Sequence, residues 1–309
     1  MTMVAGHAPD GRGRAVLHLA GMLARSTGDD LVLCAVVPRR WPPGPARVDA
    51  EYQAELRRVA QDTLEKARAR LSADLAVTLV VHDARSAPAG LLEVAEQHDA
   101  SVIVAGSAAH GGVGQVSVGS TTSRLLHSSP IPVALAPRGF RCRPDARVTR
   151  ATAAFSGSDD DLVIAAASVA ARVGVALRIA SFAVHEHAPY TAGVGTEADD
   201  SMVAEWTRDI EAAARRTLDE VSHLSEVPAA LETVVGRGPN WDDALEDVEW
   251  DDGDILVVGS SSVGPIARVF LGSRATKIVR HSPVPVIVVP RGVVAELAGE
   301  AVHAESGRA

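Results

Sequence analysis

Short apolar runs alternate with longer segments of helical period along the first half of the chain. The near-continuous apolar runs fall at 2–6, 31–37, 76–81, 101–105 and 131–136. Such runs are typical of strands that are buried on both faces. Between them, apolar residues recur at i, i+3, i+4 and i+7 in two segments: Val16, Leu19, Ala20 and Leu23, then Leu56, Val59, Ala60, Leu64, Ala67 and Leu71. This alternation predicts a parallel sheet of five strands covered by helices on both faces.

The second half repeats the first. Residues 101–139 align with 254–292 without a gap, at a constant offset of 153 positions. The offset joins these pairs: Gly106 and Gly259, Gly119 and Gly272, Ser120 and Ser273, Pro130 and Pro283, Pro132 and Pro285, Arg138 and Arg291. An offset of this length is a whole domain and not a solenoid repeat. The chain is therefore predicted to hold two tandem copies of one domain.

The boundary between the copies is predicted near 137–147, where the sequence is rich in Pro, Gly and Arg. The predicted domains are 1–140 and 146–293, and 294–309 is predicted to be a flexible tail. Two apolar stripes outline helices of the second copy: Leu162, Ala166, Val169 and Val173, then Val203, Trp206, Ile210, Ala213, Val221 and Leu224. The fold prediction is an α/β protein with two tandem Rossmann-like domains.

The fifth apolar run of each copy, IPVALAP and VPVIVVP, would be an exposed sheet edge if one copy stood alone. The sequence therefore predicts that the two copies pair with each other through these strands as an internal pseudo-dimer. Further pairing into a homodimer stays open.

Composition narrows the functional classes. With 47% hydrophobic and 22% charged residues the chain has the balance of a globular protein. Its net charge of −9 disfavours nucleic acid and anionic membrane surfaces as partners. The two cysteines, Cys34 and Cys142, form no CxxC motif, and no apolar run has the length of a signal peptide or a membrane span. We expect a cytoplasmic protein.

A glycine-rich segment follows the fourth strand of each copy. After a loop of about ten residues, Gly119-Ser120 or Gly272-Ser273 opens a helix. Backbone amides at a helix start, with a hydroxyl beside them, hold phosphate well. The alternative is that these glycines permit turns and the serines cap helices. The segment is not a Walker A loop because glycine stands where the lysine should be, and no G-x-G-x-x-G follows either first strand.

These segments resemble G-x2-G-x9-G-[ST], the signature of the universal stress proteins of the UspA class. The VVGS before the segment and the HSPVPVIVV after it are also similar to that family. The resemblance implies an adenine-nucleotide alpha-hydrolase-like fold, pairing through the fifth strand and a role in stress adaptation. In one branch it implies a bound ATP with Mg, whose phosphates the glycines and hydroxyl hold and whose nucleoside an aspartate after the first strand holds.

Carried over by position, the resemblance gives these candidate binding residues: Gly106, Ser107, Ala109, Gly119, Ser120 and Thr121 in the first copy, and Gly259, Ser260, Ser262, Arg268, Gly272, Ser273 and Arg274 in the second. Ala109 and Ser262 replace the middle glycine, which costs about 1–2 kcal/mol if that position needs a positive φ. The first-strand aspartate is not matched. The first copy has Gly6-His7, with Asp10 beyond, and the second has Ser156-Gly157-Ser158.

The two copies differ in charge around the glycines. Residues 259–280 contain Arg268, Arg274, Lys277 and Arg280, whereas 106–127 contain Arg124 as their one arginine or lysine. We therefore expect tighter nucleotide binding in the second copy. The alternative is that these cations form a solvated helix face.

Three other segments have a chemical and a structural interpretation. SGSDDD at 156–161 loosely resembles the SGGxDS loop of ATP pyrophosphatases, but aspartates that cap a helix explain it more simply. His185-Glu186-His187 lacks HExxH spacing, so we predict no metal site there. The acidic segment 241–254 is either a solvated helix face with Trp241, Leu245 and Val248 inward or a docking surface for a basic partner.

Two functional hypotheses remain. The first is a regulatory module of stress adaptation that binds adenine nucleotide in one or both copies, with little or no turnover and no catalytic residue. The second is an interaction scaffold that has lost nucleotide binding. An enzyme that hydrolyses ATP is less favoured because both glycine-rich windows lack acidic residues.

Overall fold

The computed structural model describes residues 1–8, 13–39, 46–108, 112–184, 196–260 and 272–306. Within these residues each half contains five strands. The elements of the first half are β1 (Thr2–Gly6), α1 (Gly13–Thr27), β2 (Asp30–Pro38), α2 (Ala46–Arg68), β3 (Val77–Ala84), α3 (Ala87–Gln97), β4 (Ala100–Gly106), α4 (Ser120–Ser128) and β5 (Val133–Ala136). The elements of the second half are β6 (Arg150–Ala154), α5 (Asp160–Val173), β7 (Ala176–Val184), α6 (Thr196–Ser222), β8 (Leu231–Gly238), α7 (Trp241–Glu246), β9 (Asp254–Gly259), α8 (Ser273–His281), β10 (Val286–Val289) and α9 (Arg291–Ser306).

All ten strands form one sheet in the order β3-β2-β1-β4-β5-β10-β9-β6-β7-β8. Neighbours within each half are parallel, as the predicted domain fold requires. The two halves meet at their fifth strands, where β5 and β10 pair antiparallel with Leu135 opposite Val286 and Ala134 opposite Ile287. Neither fifth strand is therefore an open edge within this sheet.

Helices cover both faces of the sheet, as predicted. Apolar residues of α1, α2, α5, α6 and α9 pack on one face, and those of α3, α4, α7 and α8 pack on the other. The strands supply side chains to both layers, which is why their sequences are almost continuously apolar. In β1, for example, Met3 and Ala5 belong to the first layer and Val4 to the second.

The predicted stripes need two corrections. Val59 and Val169 were expected on buried helix faces but are 39% and 38% exposed. The periodicity located α2 and α5 correctly, but each predicted apolar stripe is wider than the helix face that packs on the sheet. The side chain of Val203 lies outside the described part of the chain.

The segment 294–309 was expected to be a flexible tail, but its described part is helical. Residues 294–306 form most of α9, which packs along α5. Val294 and Ala298 are buried, and Leu297 is partly buried against the same core layer. Val294, Leu297 and Ala298 have the spacing of an inward helix face, which accounts for the difference.

Candidate functional site

Each half has a cavity at the carboxyl ends of its parallel strands, where ligands of such sheets bind. The first-half cavity measures about 500 Å³ and the second-half cavity about 460 Å³. Both volumes lie in the range of small-molecule sites. In each cavity the strand that precedes the glycine-rich segment and the helix that follows it form part of the wall.

Glycines let the strand, loop and helix of the first-half cavity approach each other closely. A Cβ at Gly119, the N-cap of α4, would lie 2.8 Å from Cβ of Ala108, and one at Gly106 would lie 3.0 Å from Val16. The φ of Gly119 is −83°, so the position needs a small residue and not an unusual backbone. Thr122 Oγ1 donates to the carbonyl of Gly106 at 3.1 Å and fixes the helix start against β4.

Ser107 organises this loop instead of presenting a free hydroxyl. Its Oγ accepts a hydrogen bond from the amide of Ser117 and lies 3.3 Å and 3.4 Å from the carbonyls of Ser117 and Gln115. Ser120 and Thr121 are exposed at the start of α4 and line the cavity. The donors on the cavity wall therefore include these two residues and the backbone of the helix start.

The rest of the described first-half wall is mainly apolar. It includes the thiol of Cys34, whose pKa burial raises to about 12, and the side chains of Val36, Leu56 and Leu91. None of the described lining residues is Asp, Glu, Lys or Arg. Apart from the helix start, this wall therefore favours ligand groups without full charge.

His7 follows β1, close to where the resemblance implies an aspartate, and is 8% exposed. Its pKa is lowered, first by burial and then by the charge of Arg70, while a backbone contact with Gly13 acts in the opposite direction. Among the described residues, none meets hydrogen-bond geometry with the buried Nδ1. A larger residue at Gly6 would meet Leu91 at 2.9 Å, so no carboxylate fits at that position without a shift. Sequence reasoning gave His7 no role, although a polar residue directly after a buried strand is a usable signal.

The second-half cavity has a different wall. Its described part includes four aromatic side chains: Phe155, Phe182, Trp206 and Trp241. Two arginines, Arg274 at the start of α8 and Arg291 at the start of α9, line it as well. Aromatic rings can stack on a purine base, and guanidinium groups pair with phosphate. The sequence had assigned Trp206 and Trp241 only to inward helix faces, because periodicity does not separate a core wall from a cavity wall.

Ser260 links the second glycine-rich segment to α9. Its Oγ accepts a hydrogen bond from the amide of Arg291 at 3.0 Å, and its own amide donates to Val289 at 3.0 Å. Val294 and Ala295 of the same helix also line the cavity. The helix that replaces the expected tail is thus part of the second site.

The acidic segment at the start of α5 only partly follows the capping prediction. Asp159 occupies the N-cap position, but its carboxylate turns back to accept from the amide of Ser156 at 3.2 Å and from the Ser156 hydroxyl. Gly157, at φ +103°, provides the left-handed turn that this requires. Asp160 accepts from Thr217 at 2.6 Å, whereas Asp161 is exposed and lines the cavity.

Most of the predicted binding residues lie together in the two cavities. The first cavity contains Gly106, Ser107, Gly119, Ser120 and Thr121, and the second contains Gly259, Ser260, Gly272 and Arg274. Ser273 opens α8 but is not on the described cavity wall. Ala109, Ser262 and Arg268 lie outside the described residues, as do Asp10 and the motif 185–187.

The acidic segment 241–254 forms a shorter helix than its pattern suggested. Leu245 and Val248 are buried and Trp241 is partly buried, which confirms the inward face. Asp254 is not a surface acid, because it is 2% exposed and paired with Arg150 at 2.6 Å.

Among the described residues no group of three or more His, Cys, Asp or Glu side chains is placed to hold a metal ion. The helices of the described chain include none with the length and apolar character to cross a bilayer.

Comparison with known proteins gives consistent matches. The model of the universal stress protein family matches residues 2–137 and 149–290. Curated universal stress proteins of Mycobacterium bovis and Mycobacterium tuberculosis are each 40% identical over 298 residues, which covers 94% of this chain and 100% of theirs.

Two solved structures share the fold over nearly the whole chain. A Pseudomonas aeruginosa protein has a TM-score of 0.56 at 16% identity and covers 97% of both chains. A universal stress protein of Archaeoglobus fulgidus has a TM-score of 0.54 at 19% identity, covering 94% of this chain and 98% of that one.

Proposed function

The chain belongs to the universal stress protein family, with two family domains in tandem, and on this premise we propose that it is a regulatory module of stress adaptation that binds adenine nucleotide with little or no turnover. The observation that carries the proposal is the recurrence, in both halves, of a ligand-sized cavity bounded by Gly-Ser at a helix start. Such a helix start offers unpaired amides to a phosphate group.

The second half is the favoured nucleotide site. Its cavity combines aromatic rings for a base with Arg274 and Arg291 for phosphate. The first half lacks both on its described cavity wall. This preference agrees with the asymmetry expected from the cations of 259–280, although Arg291 and the aromatic wall come from elsewhere in the chain.

Magnesium, if it accompanies the nucleotide, fits as a phosphate-bound ion. The described residues provide no protein cage of three donors, and Mg²⁺ commonly takes one or two carboxylates, phosphate oxygens and waters. Asp161 is the exposed carboxylate on the second cavity wall that suits this role. Asp159 is already bonded to Ser156.

Little or no turnover is proposed because hydrolysis needs a group that positions and deprotonates water near the phosphates. Both glycine-rich windows lack acidic residues, and Asp161 on the second cavity wall is the carboxylate whose part in hydrolysis can be tested. Phosphate release from ATP is measured for the parent chain and for Asp161→Asn. Equal, negligible release from both proteins supports a binding module. A steady release by the parent that Asp161→Asn abolishes identifies an ATPase.

The nucleotide itself is tested on the full chain. The purified protein is denatured, released small molecules are identified by mass spectrometry, and Mg-ATP is titrated into stripped protein by calorimetry. We expect recovered adenine nucleotide and binding that Arg274→Gln weakens by about tenfold, the worth of one charged hydrogen bond. Arg58→Gln, an exposed substitution on α2, is the control. An empty extract without heat at millimolar ATP favours the nucleotide-free scaffold instead.

A further inference from the structure

The chain after the fifth strand takes a different course in the two halves. After β10, α9 begins at Arg291 and packs along α5. The equivalent residue of the first half, at the offset of 153, is Arg138, and residues 137–149, which the structure describes throughout, contain no helix. The family match of the second half ends at residue 290, directly before α9. The helix is therefore an addition to the second half and lies almost entirely outside the repeated unit.

α9 forms part of the wall of the second-half cavity while it packs on α5. Arg291, Val294 and Ala295 line the cavity. Further along the helix, Leu297 and Ala298 pack against the core layer to which α5 belongs. The first turn of α5 lines the same cavity, so the two helices share one wall. A ligand in the cavity can therefore contact α9 only when the helix is packed on α5.

The packing that holds α9 in place is small. Val294 and Ala298 are the buried side chains among residues 291–301, and both are short. Gly292 and Gly299 lie within the helix, and a Cβ at either position would meet no other described group within 4 Å. Each glycine weakens a helix relative to alanine, and a helix of 16 residues with two glycines is marginal in water on its own. The helical form of α9 therefore depends on its contacts with α5 and with the cavity.

The glycine-rich segment of the second half also contacts α9. Oγ of Ser260 accepts a hydrogen bond from the amide of Arg291 at 3.0 Å, and both residues line the cavity. A ligand that contacts both favours the packed state, because its contacts with α9 are lost when the helix separates. Elements with few buried apolar contacts open at a low free energy. A weakly held element, with ligand contacts in only one of its two states, meets the requirements of a ligand-dependent cover.

We propose that α9 is a ligand-responsive cover of the second-half cavity. A nucleotide in the cavity holds the helix on α5, and an empty cavity raises the fraction of molecules in which the helix has separated. The inference rests on the proposed function, because the nucleotide is the ligand that α9 would cover. Occupancy of the second site then changes the exposure of α9 and of the α5 face beneath it. A regulatory module thereby gains a surface that differs between its loaded and its empty state.

The test measures hydrogen exchange of the full chain with and without saturating Mg-ATP. We expect the amides of 293–301 to exchange at least about tenfold more slowly in the loaded protein, because ligand binding stabilises the packed state by mass action. The internal reference is β8, which contributes no residue to the described wall of either cavity, and its exchange should change by less than about twofold. Equal exchange of α9 in the loaded and the empty protein would overturn the proposal.

Two variants place glutamine on different faces of α9. Ala298→Gln disturbs the face that packs on α5 at a position that is not on the described cavity wall, so it should weaken Mg-ATP binding by about tenfold or more. Glu300→Gln, on the exposed face, is the matched control and should change binding by less than about twofold. Equal affinities of the two variants would contradict the proposal.

Gly299→Ala tests the same idea in the stabilising direction, so it stays informative if Ala298→Gln fails to fold. Alanine strengthens the helix, and exchange of 293–301 in the empty protein should slow by about fivefold. The affinity for Mg-ATP should not fall. Faster exchange of α9 or weaker binding in Gly299→Ala would contradict a helix whose stability supports the closed site.

The outcomes also separate this inference from the proposed function. Mg-ATP binding that Arg274→Gln weakens, with equal exchange of α9 in the loaded and the empty protein, retains the nucleotide module and rejects the cover. Binding that Arg274→Gln leaves unchanged, again without an effect on α9, locates the nucleotide in the first half and also rejects the cover. No recovered nucleotide and no heat with Mg-ATP reject both.

Discussion

Gln115 in the first half donates a hydrogen bond from Nε2 to Oδ1 of Asp242 in the second half, at 3.1 Å. The same oxygen lies 2.7 Å from Nδ1 of His281 on α8. Gln115 belongs to the segment between β4 and α4 whose backbone also holds Arg138, and Asp242 adjoins Trp241 on the second cavity wall. One carboxylate oxygen thus connects the glycine-rich segment of one half with the helices around the site of the other.

We predict that this contact contributes measurable coupling between the halves. Gln115→Ala and Asp242→Ala should each lower the free energy of unfolding by about 0.5–1.5 kcal/mol, and the double variant by about 0.5 kcal/mol less than their sum. Urea denaturation of the four proteins measures this. The control cycle pairs Gln115→Ala with Asp219→Ala, an exposed change on α6 that should be additive. Additivity in the Gln115 and Asp242 cycle would mean that the contact does not couple the halves.

We predict that the fifth strands pair within one chain in solution. Ala134 and Ile287 are opposite each other and belong to the same core layer, so cysteines at both positions can approach to disulfide distance. In a background without Cys34 and Cys142, oxidation of Ala134→Cys/Ile287→Cys should give a crosslinked monomer. Non-reducing electrophoresis and intact mass measure the product. Disulfide-linked dimers as the main product would instead show that β5 and β10 pair between chains.

The sequence predicted the fold well because hydrophobic periodicity and internal repetition can be read directly from the order of the residues. The apolar runs mark the first-half strands, and the exact offset between Gly106 and Gly259 shows the duplication. The glycine motif also located both cavities. A neighbouring cavity lined by Arg14, Arg70 and Arg141 was not predictable, because these residues are distant in the chain and converge only when α1, α2 and the linker after β5 pack together. The same applies to Arg291, which the sequence placed beside a tail.

Two glycines at different positions of the glycine-rich segments, one in each half, should respond differently to a methyl group. A Cβ at Gly119 would lie 2.8 Å from Cβ of Ala108, whereas one at Gly259 would lie 3.4 Å from Leu162, an ordinary contact. We expect Gly119→Ala to lower the free energy of unfolding by about 1 kcal/mol or more through overpacking. Gly259→Ala should change it by less than about 0.5 kcal/mol. Urea denaturation measures both changes. A larger loss of unfolding free energy for Gly259→Ala than for Gly119→Ala would contradict the expectation from these contact distances.

Stability should fall at mildly acidic pH because of His7. Its pKa in the folded chain lies below the ordinary value of 6.5, through burial and Arg70. The unfolded chain therefore binds more protons below about pH 6.5, so stability is highest above that pH and falls as the pH drops towards the folded-state pKa. The free energy of unfolding of His7→Gln should depend less on pH between pH 7 and pH 5 than that of the parent. His127→Gln, exposed on α4, is the control, and equal slopes in the parent and His7→Gln would contradict the assignment.

The last prediction concerns buried charged residues on the strands of the second half. Asp254 is 2% exposed and Arg178 is 4% exposed, and the carboxylate lies 2.6 Å from Arg150 and 3.5 Å from Arg178. The pKa of Arg178 is lowered, first by burial and then by Arg150, and Asp254 is the buried carboxylate that compensates both cations beside the more exposed Glu232 and Asp251.

Removal of the Asp254 carboxylate leaves Arg178 and Arg150 with the more exposed Glu232 and Asp251 as their acidic partners, whereas removal of Arg178 leaves Asp254 with Arg150 and with the amide of Asp251 at 2.9 Å. We therefore expect Asp254→Ala to lower the free energy of unfolding by about 3–5 kcal/mol, and Arg178→Met, which preserves volume, to lower it by clearly less. Urea denaturation at pH 7 ranks the two variants. The reverse order would mean that the contacts of Arg178 with Thr152, the Glu249 carbonyl and the Trp250 ring outweigh charge compensation.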